Sequence, residues 1–259
     1  MKHPVYFVGA GPGDPELITV KGWRLLREAD RIVYTGSLVP ETLIEERKAG
    51  ATIHNSASLS LRETHRLLRE GHLAGERVVR LHTGDPSLYG AIQEQMQLLD
   101  QEGIPYLVVP GVSVVFAAAA ALKQELTLPE VSQTVILTRL AGRTAVPEAE
   151  QLRLLAAHRA TLVVYLSVQQ IEKVVEEVAP LYGLATPVIV AYRVGWPEQV
   201  LLEGTLADIA SKVRSNDIQN QAIIMIGEVF GARYKDNIIT SRLYDTSFEH
   251  GFRKARTSQ

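Results

Sequence analysis

Short runs of β-branched and aliphatic residues alternate with helix-periodic stretches along most of the chain, and this alternation is the strongest constraint on its fold. Runs near Val5–Val8, Arg31–Tyr34, Thr52–His54, Val78–Leu81 and Tyr106–Val109 read as strands. Helical patterns near Thr19–Ala29, Glu41–Lys48, Leu61–Glu70, Ala91–Glu102 and Val114–Leu122 separate and follow them. A strand–helix repeat of this kind closes into a largely parallel sheet with helices on both faces, so the unbroken runs VVRL and YLVV are expected to be covered on both sides. In the fourth helix Ile92, Met96 and Leu99 recur at i, i+4 and i+7 and should face a core.

A second series follows, with strands Thr134–Thr138, Thr161–Leu166, Val188–Tyr192, Val200–Glu203 and Ala222–Ile226 and helices Glu148–Ala157, Val168–Ala179 and Leu206–Val213. The expected class is α/β: two successive α/β domains with mixed, largely parallel sheets. Prolines and polar residues interrupt the periodicity near residues 124–132, which places the domains at 1–125 and 126–231. Residues 232–259 read as a basic C-terminal tail with little periodicity.

Composition closes off several classes. Lys+Arg 27 against Asp+Glu 29 gives a net charge of −2, with 46% hydrophobic residues, which excludes a disordered chain and argues against a general polyanion binder. The absence of cysteine excludes a disulfide scaffold, a thiol nucleophile, thiolate-bound zinc and an iron–sulfur cluster, and fits a reducing compartment. The uncharged stretch Ile104–Leu122 is split by Pro105, Pro110 and Gly111, whereas a spanning helix needs ~20 apolar residues in sequence. The start, MKHPVYFVGAGPG, reads as a cytoplasmic first strand entering a glycine loop. The histidines form no HxH or HExxH pattern, His65 and His72 read as surface residues, and no protein-bound metal is expected.

Three loops carry the chemistry. Gly9-Ala-Gly-Pro-Gly-Asp-Pro15 follows the first strand, and its glycines let the backbone turn tightly against a ligand. A dinucleotide fingerprint needs a glycine where Asp14 stands, and Pro12 and Pro15 have no N–H to offer a phosphate, so this loop is a poor pyrophosphate cradle. The second loop, His82 to Gly90, follows the fourth strand and holds Asp85, an anchor for an ammonium or a ribose, or a cap for a helix beginning after Pro86. The third is Pro110-Gly-Val-Ser-Val114, where Ser113 reads as a helix N-cap. All three lie beyond strand carboxyl ends, where open α/β sheets bind ligands.

The segments GAGPGDPELIT, HTGDPSLYGAIQEQM, VPGVSVVFAAAAA and TVILTRLAGRTAVPE, in this order within residues 4 to 230, resemble the tetrapyrrole methylases, methyltransferases that use S-adenosylmethionine in corrin and sirohaem synthesis. The resemblance implies the class III methyltransferase fold, a homodimer, and S-adenosylmethionine held folded between the domains and released as S-adenosylhomocysteine. Carried over by position, it implies cofactor contacts from Pro12, Thr83, Gly84, Asp85, Leu88, Tyr89, Ser113, Val114, Leu166, Val194 and Ala222. Leu166 stands where related enzymes often have methionine.

The substrate so implied is a macrocycle bearing several carboxylates, which arginine pairs bidentately. Arg139 and Arg143, on the loop through Gly142, and Arg193, before Gly195-Trp-Pro, are the expected cationic contacts, with Tyr34 and Ser37 adding hydroxyls. The expected reaction is C-methylation of a corrin precursor by direct displacement, with no side-chain nucleophile and no assigned acid or base. Four alternatives stand beside it: methylation at another ring position, methylation of protein or RNA, a dinucleotide-dependent oxidoreductase, and a non-catalytic cofactor-binding module.

Overall fold

A computed structural model describes residues 3–36, 38–45, 47–142, 144–232, 241 and 247–254. The chain forms two compact units, Met1–Ala117 with Arg193–Glu198, and Ala118–Tyr192 with Gln199–Gln259. This division falls after Ala117 rather than near residues 124–132, and it assigns a short segment from the second half of the sequence to the first unit.

In the first unit the chain runs β1 (Val5–Gly9), α1 (Val20–Arg27), β2 (Arg31–Tyr34), α2 (Glu41–Glu45), β3 (Thr52–Asn55), α3 (Leu61–Leu73), β4 (Val78–His82), α4 (Gln93–Gln101), β5 (Tyr106–Val109) and the start of α5 (Val114–Leu122). The strands order β3-β2-β4-β1-β5, all parallel. Alternate residues of β4 serve two cores. Val79 and Leu81 pack with Val8, Leu26 and Ile32 on one face. Val78 packs with Phe7, Val33, Leu68 and Leu99 on the other, and Ile92 and Met96 join it as expected. Each fully buried aliphatic side chain contributes about 1.5–3 kcal/mol. Helix starts follow local chemistry: Thr19 Oγ1 accepts the Gly22 N–H at 3.1 Å, and Ser60 and Glu63 form a reciprocal capping box.

Two expectations need correction. The YLVV strand is not covered on both sides: β5 is an edge strand, and Leu107 and Val108 are 47% and 38% exposed. His65 and His72 are not surface residues; both are buried, His65 Nε2 lying 3.0 Å from Glu102 Oε1 and His72 Nδ1 bonding the His3 carbonyl at 2.8 Å.

The second unit contains β6 (Val135–Arg139), α6 (Leu152–Ala156), β7 (Thr161–Tyr165), α7 (Ile171–Tyr182), β8 (Pro187–Tyr192), β9 (Val200–Thr205), α8 (Ile209–Ser215), β10 (Ala222–Ile226) and α9 (Val229–Ala232). Its sheet orders β6-β7-β10-β8-β9, with β6 parallel to β7 and the other pairs antiparallel. The expected helix Glu148–Ala157 is broken, because Gln151 adopts ψ 138° between a 3-10 turn and α6. Among the described residues no helix is long and apolar enough to cross a membrane.

Candidate active site

Strands β1, β4 and β5 lie side by side and end together at one edge of the first sheet. Each opens into a glycine-bearing loop, and the three loops touch through their backbones. A Cβ on Gly9 would sit 2.6 Å from both Gly111 Cα and the Gly84 carbonyl, and one on Gly111 would sit 2.1 Å from that same oxygen. Only glycine permits this approach. Gly11 and Gly84 exchange backbone bonds of 2.7 and 3.3 Å, and Gly84 takes φ +60°.

Asp85 ties the second loop to the third. Its Oδ1 accepts the Ser87 N–H at 2.8 Å and its Oδ2 accepts the Gly111 N–H at 2.9 Å. No helix begins after Pro86, since α4 starts only at Gln93; the carboxylate closes a turn and bridges two strand ends rather than capping a helix. Around it, Thr83, Gly84 and Leu88 are half-buried, while Tyr89 is exposed with φ +57°. Ser113 is buried immediately before α5, whose first residue is the half-buried Val114.

The segment Arg193–Glu198 completes this cluster. Val194 is buried, and Trp196 donates its Nε1–H to the Pro12 carbonyl at 3.1 Å. The Arg193 guanidinium lies 4.8 Å above the Trp196 ring and 3.6 Å from the Glu198 carboxylate. No local sequence pattern announces Trp196, because its partner lies 184 residues away.

The charge of the three loops is one-sided. The segments 9–15, 82–90 and 110–114 contain Asp14 and Asp85 and no lysine or arginine. His82 adds no cation: it is 2% exposed, and burial first, then the nearby Arg80 charge, push its imidazole down to about 3. The ring is therefore neutral near pH 7 and a weak proton acceptor, and its buried Nε2 has no hydrogen-bond partner. Arg80, buried beneath, is held at about 10 by desolvation and donates to Gln95 Oε1, the Val33 carbonyl and Ser56 Oγ. Carbonyl, hydroxyl and carboxylate oxygens are the acceptors on these loops, which suits a ligand bearing a sulfonium and an ammonium and disfavours a pyrophosphate. Among the described residues no cluster of His, Asp or Glu could hold a metal ion.

Tyr34 ends β2, half-buried, at the same carboxyl edge. Arg139, Leu166 and Ala222 belong to the second unit, and its strand register brings them to one edge of that sheet. Leu166 is 73% exposed with φ +54°; Ala222 is buried. The Arg139 guanidinium donates to the carbonyls of Leu140, Thr144 and Ala145, at 3.3, 3.0 and 2.6 Å, and so folds its own loop. Ser37 and Arg143 lie outside the described residues.

Comparison with known proteins accounts for nearly the whole chain. It is 51% identical over 252 residues to a cobalt-precorrin-4 C(11)-methyltransferase of Methanocaldococcus jannaschii, covering 97% of this chain and 96% of that protein. It is also 51% identical over 249 residues to a precorrin-4 C(11)-methyltransferase of Pseudomonas aeruginosa, covering 96% and 98%. The crystal structure of a cobalamin-biosynthetic cobalt precorrin-4 methyltransferase superposes with TM-score 0.85 at 46% identity, covering 87% of this chain and 95% of that one. A uroporphyrin-III C-methyltransferase from Thermus thermophilus, complexed with S-adenosylhomocysteine, superposes with TM-score 0.73 at 30% identity, covering 88% and 93%. A family model for tetrapyrrole (corrin/porphyrin) methylases matches residues 4–210, which include the three glycine loops and strands of both sheets, and the chain belongs to that family.

Proposed function

We propose that the protein transfers a methyl group from S-adenosylmethionine to C-11 of precorrin-4, or of its cobalt form, in cobalamin biosynthesis. The observation that carries methyl transfer is the carboxyl edge of the first sheet, where three strand ends meet through glycines around Asp85 with no cationic side chain on their loops. The substrate and ring position come from the names of relatives at 51% identity over almost the full length.

Pro12, Thr83, Gly84, Asp85, Leu88, Tyr89, Ser113, Val114 and Val194 would hold the cofactor. When bound there, S-adenosylmethionine supplies an electrophilic methyl on a sulfonium, which a nucleophilic ring carbon displaces in line. The protein's part is to orient the two partners, an effect worth up to about 7–11 kcal/mol in favourable cases. Neutral, buried His82 takes no proton in this scheme. Arg139 serves the macrocycle by shaping the loop that meets it. The oxidoreductase reading is disfavoured by the site's acidity and by Asp14, whose side chain accepts the Glu16 N–H at 2.9 Å. The assembly is a homodimer, supported by Leu107 and Val108 on an edge strand and by Phe116, 60% exposed on an apolar helix.

Calorimetric titration with S-adenosylhomocysteine, with NADH and NADPH in parallel, tests the cofactor. Micromolar binding of the homocysteine product alone is expected, and binding of a nicotinamide nucleotide alone overturns the reading. Incubation with precorrin-4 and with cobalt-precorrin-4 should then add one methyl group by mass to at least one. Product binding without turnover of either ring would leave a methylase of another ring position or a binding module.

A further inference from the structure

We infer that Trp196 is a positioning residue for the first glycine loop: its indole lies against Gly13 and its Nε1–H holds the Pro12 carbonyl, fixing the loop in its ligand-ready form. The inference rests on the cofactor reading above.

The loop cannot fix this stretch by itself. Ala10 and Gly11 donate to the carbonyls of His82 and Gly84, and the turn that follows is closed by Leu17 donating to the Asp14 carbonyl. Pro12 has no N–H, and its carbonyl is bound from outside the loop, by Trp196. The fit is close enough to exclude a methyl group: a Cβ on Gly13 would fall 2.3 Å from Trp196 Cδ1 and 2.8 Å from the Val194 carbonyl.

The segment carrying the indole is shaped to deliver it. Arg193 adopts φ +45°, a left-handed conformation that costs a non-glycine residue free energy, and Gly195 adopts φ +83°. A Cβ on Gly195 would lie 2.7 Å from Asp14 N, so this segment and the loop meet backbone to backbone. Arg193 stacks on the indole and pairs with Glu198, which holds the ring in place and engages the Arg193 charge. Arg193 therefore supports Trp196 rather than serving as an open cation for substrate carboxylates.

Tryptophan itself supplies the test, because the chain has two and W23F leaves Trp196 alone. In W23F protein, S-adenosylhomocysteine should shift the Trp196 emission with the same midpoint as calorimetry. W196F keeps a ring but removes the N–H; it should raise the product Kd and the S-adenosylmethionine KM about three- to tenfold, with kcat changed less than twofold. G13A should bind at least tenfold more weakly than wild type, because its methyl group would meet both the indole and the Val194 carbonyl. Circular dichroism confirms that each variant is folded. Wild-type protein that binds no S-adenosylhomocysteine overturns the cofactor reading and this inference with it. Tight binding with unmoved Trp196 emission, or a W196F variant of unchanged Kd and KM, overturns the inference alone.

Discussion

Asp85 shows how one side chain can serve a site through its neighbours. Its two oxygens accept N–H groups from Ser87 and Gly111, so removing the carboxylate frees the second loop from the third. A hydrogen bond to a charged group contributes about 1.5–3 kcal/mol, and 1.4 kcal/mol is a factor of ten. D85A should therefore bind S-adenosylhomocysteine at least tenfold more weakly, and D85N, which keeps one acceptor oxygen, should fall between it and wild type. Wild-type affinity of folded D85A by calorimetry would sink this assignment. Arg139 makes the parallel case in the second unit, since a lysine cannot reproduce a guanidinium donating to three carbonyls. R139K should weaken binding of the tetrapyrrole and leave cofactor affinity unchanged; unaltered tetrapyrrole affinity would remove the loop from substrate recognition.

Strand β4 links core and site, because Arg80 and His82 occupy positions that alternate with Val79 and Leu81. Replacing Arg80 by Met strips donors from Gln95, Ser56 and the Val33 carbonyl, and should cost about 2–4 kcal/mol in urea unfolding. An unchanged midpoint would mean that the freed acceptors find other partners. The strands were legible in the sequence to within a residue or two, because buried strands carry continuous β-branched runs that turn residues punctuate. Helix starts were less so: Glu148–Glu150 and Val168–Gln170 wind as 3-10 turns, which hydrophobic periodicity does not distinguish from α-helix. His65 and His72 looked like surface residues because α3 is rich in charge, and their burial depends on Glu102 and on the His3 carbonyl, both distant in sequence. The glycine loops were visible as candidates because glycine there answers a close backbone contact. The partners that hold them, Trp196 for Pro12 and Gly111 for Asp85, come from other strand connections and become apparent only once the sheet is built.

For the molecule as a whole, exposed Phe116 and buried His82 make assembly and acid stability measurable. F116E should turn the proposed dimer into a monomer in sedimentation, and a dimer that survives would place the interface elsewhere. The acid response follows from His82, held at about 3 in the fold against an ordinary 6.5 by burial and by Arg80. Above about pH 6.5 the ring is neutral in both folded and unfolded chains, and the fold keeps its full stability. As pH falls below that, the unfolded chain takes up a proton that the fold refuses, so stability drops by about 1.4 kcal/mol per pH unit until near pH 3. Between pH 7.5 and 5.0 this amounts to about 2 kcal/mol from His82. His54, lowered first by burial and then by the Arg31 charge, acts in the same direction. In H82Q the ring is gone and the refusal with it, so urea midpoints at the two pH values should converge by the His82 share while the remaining histidines keep theirs. Equal pH loss in H82Q and wild type would show that the imidazole is reached by solvent protons in the folded protein.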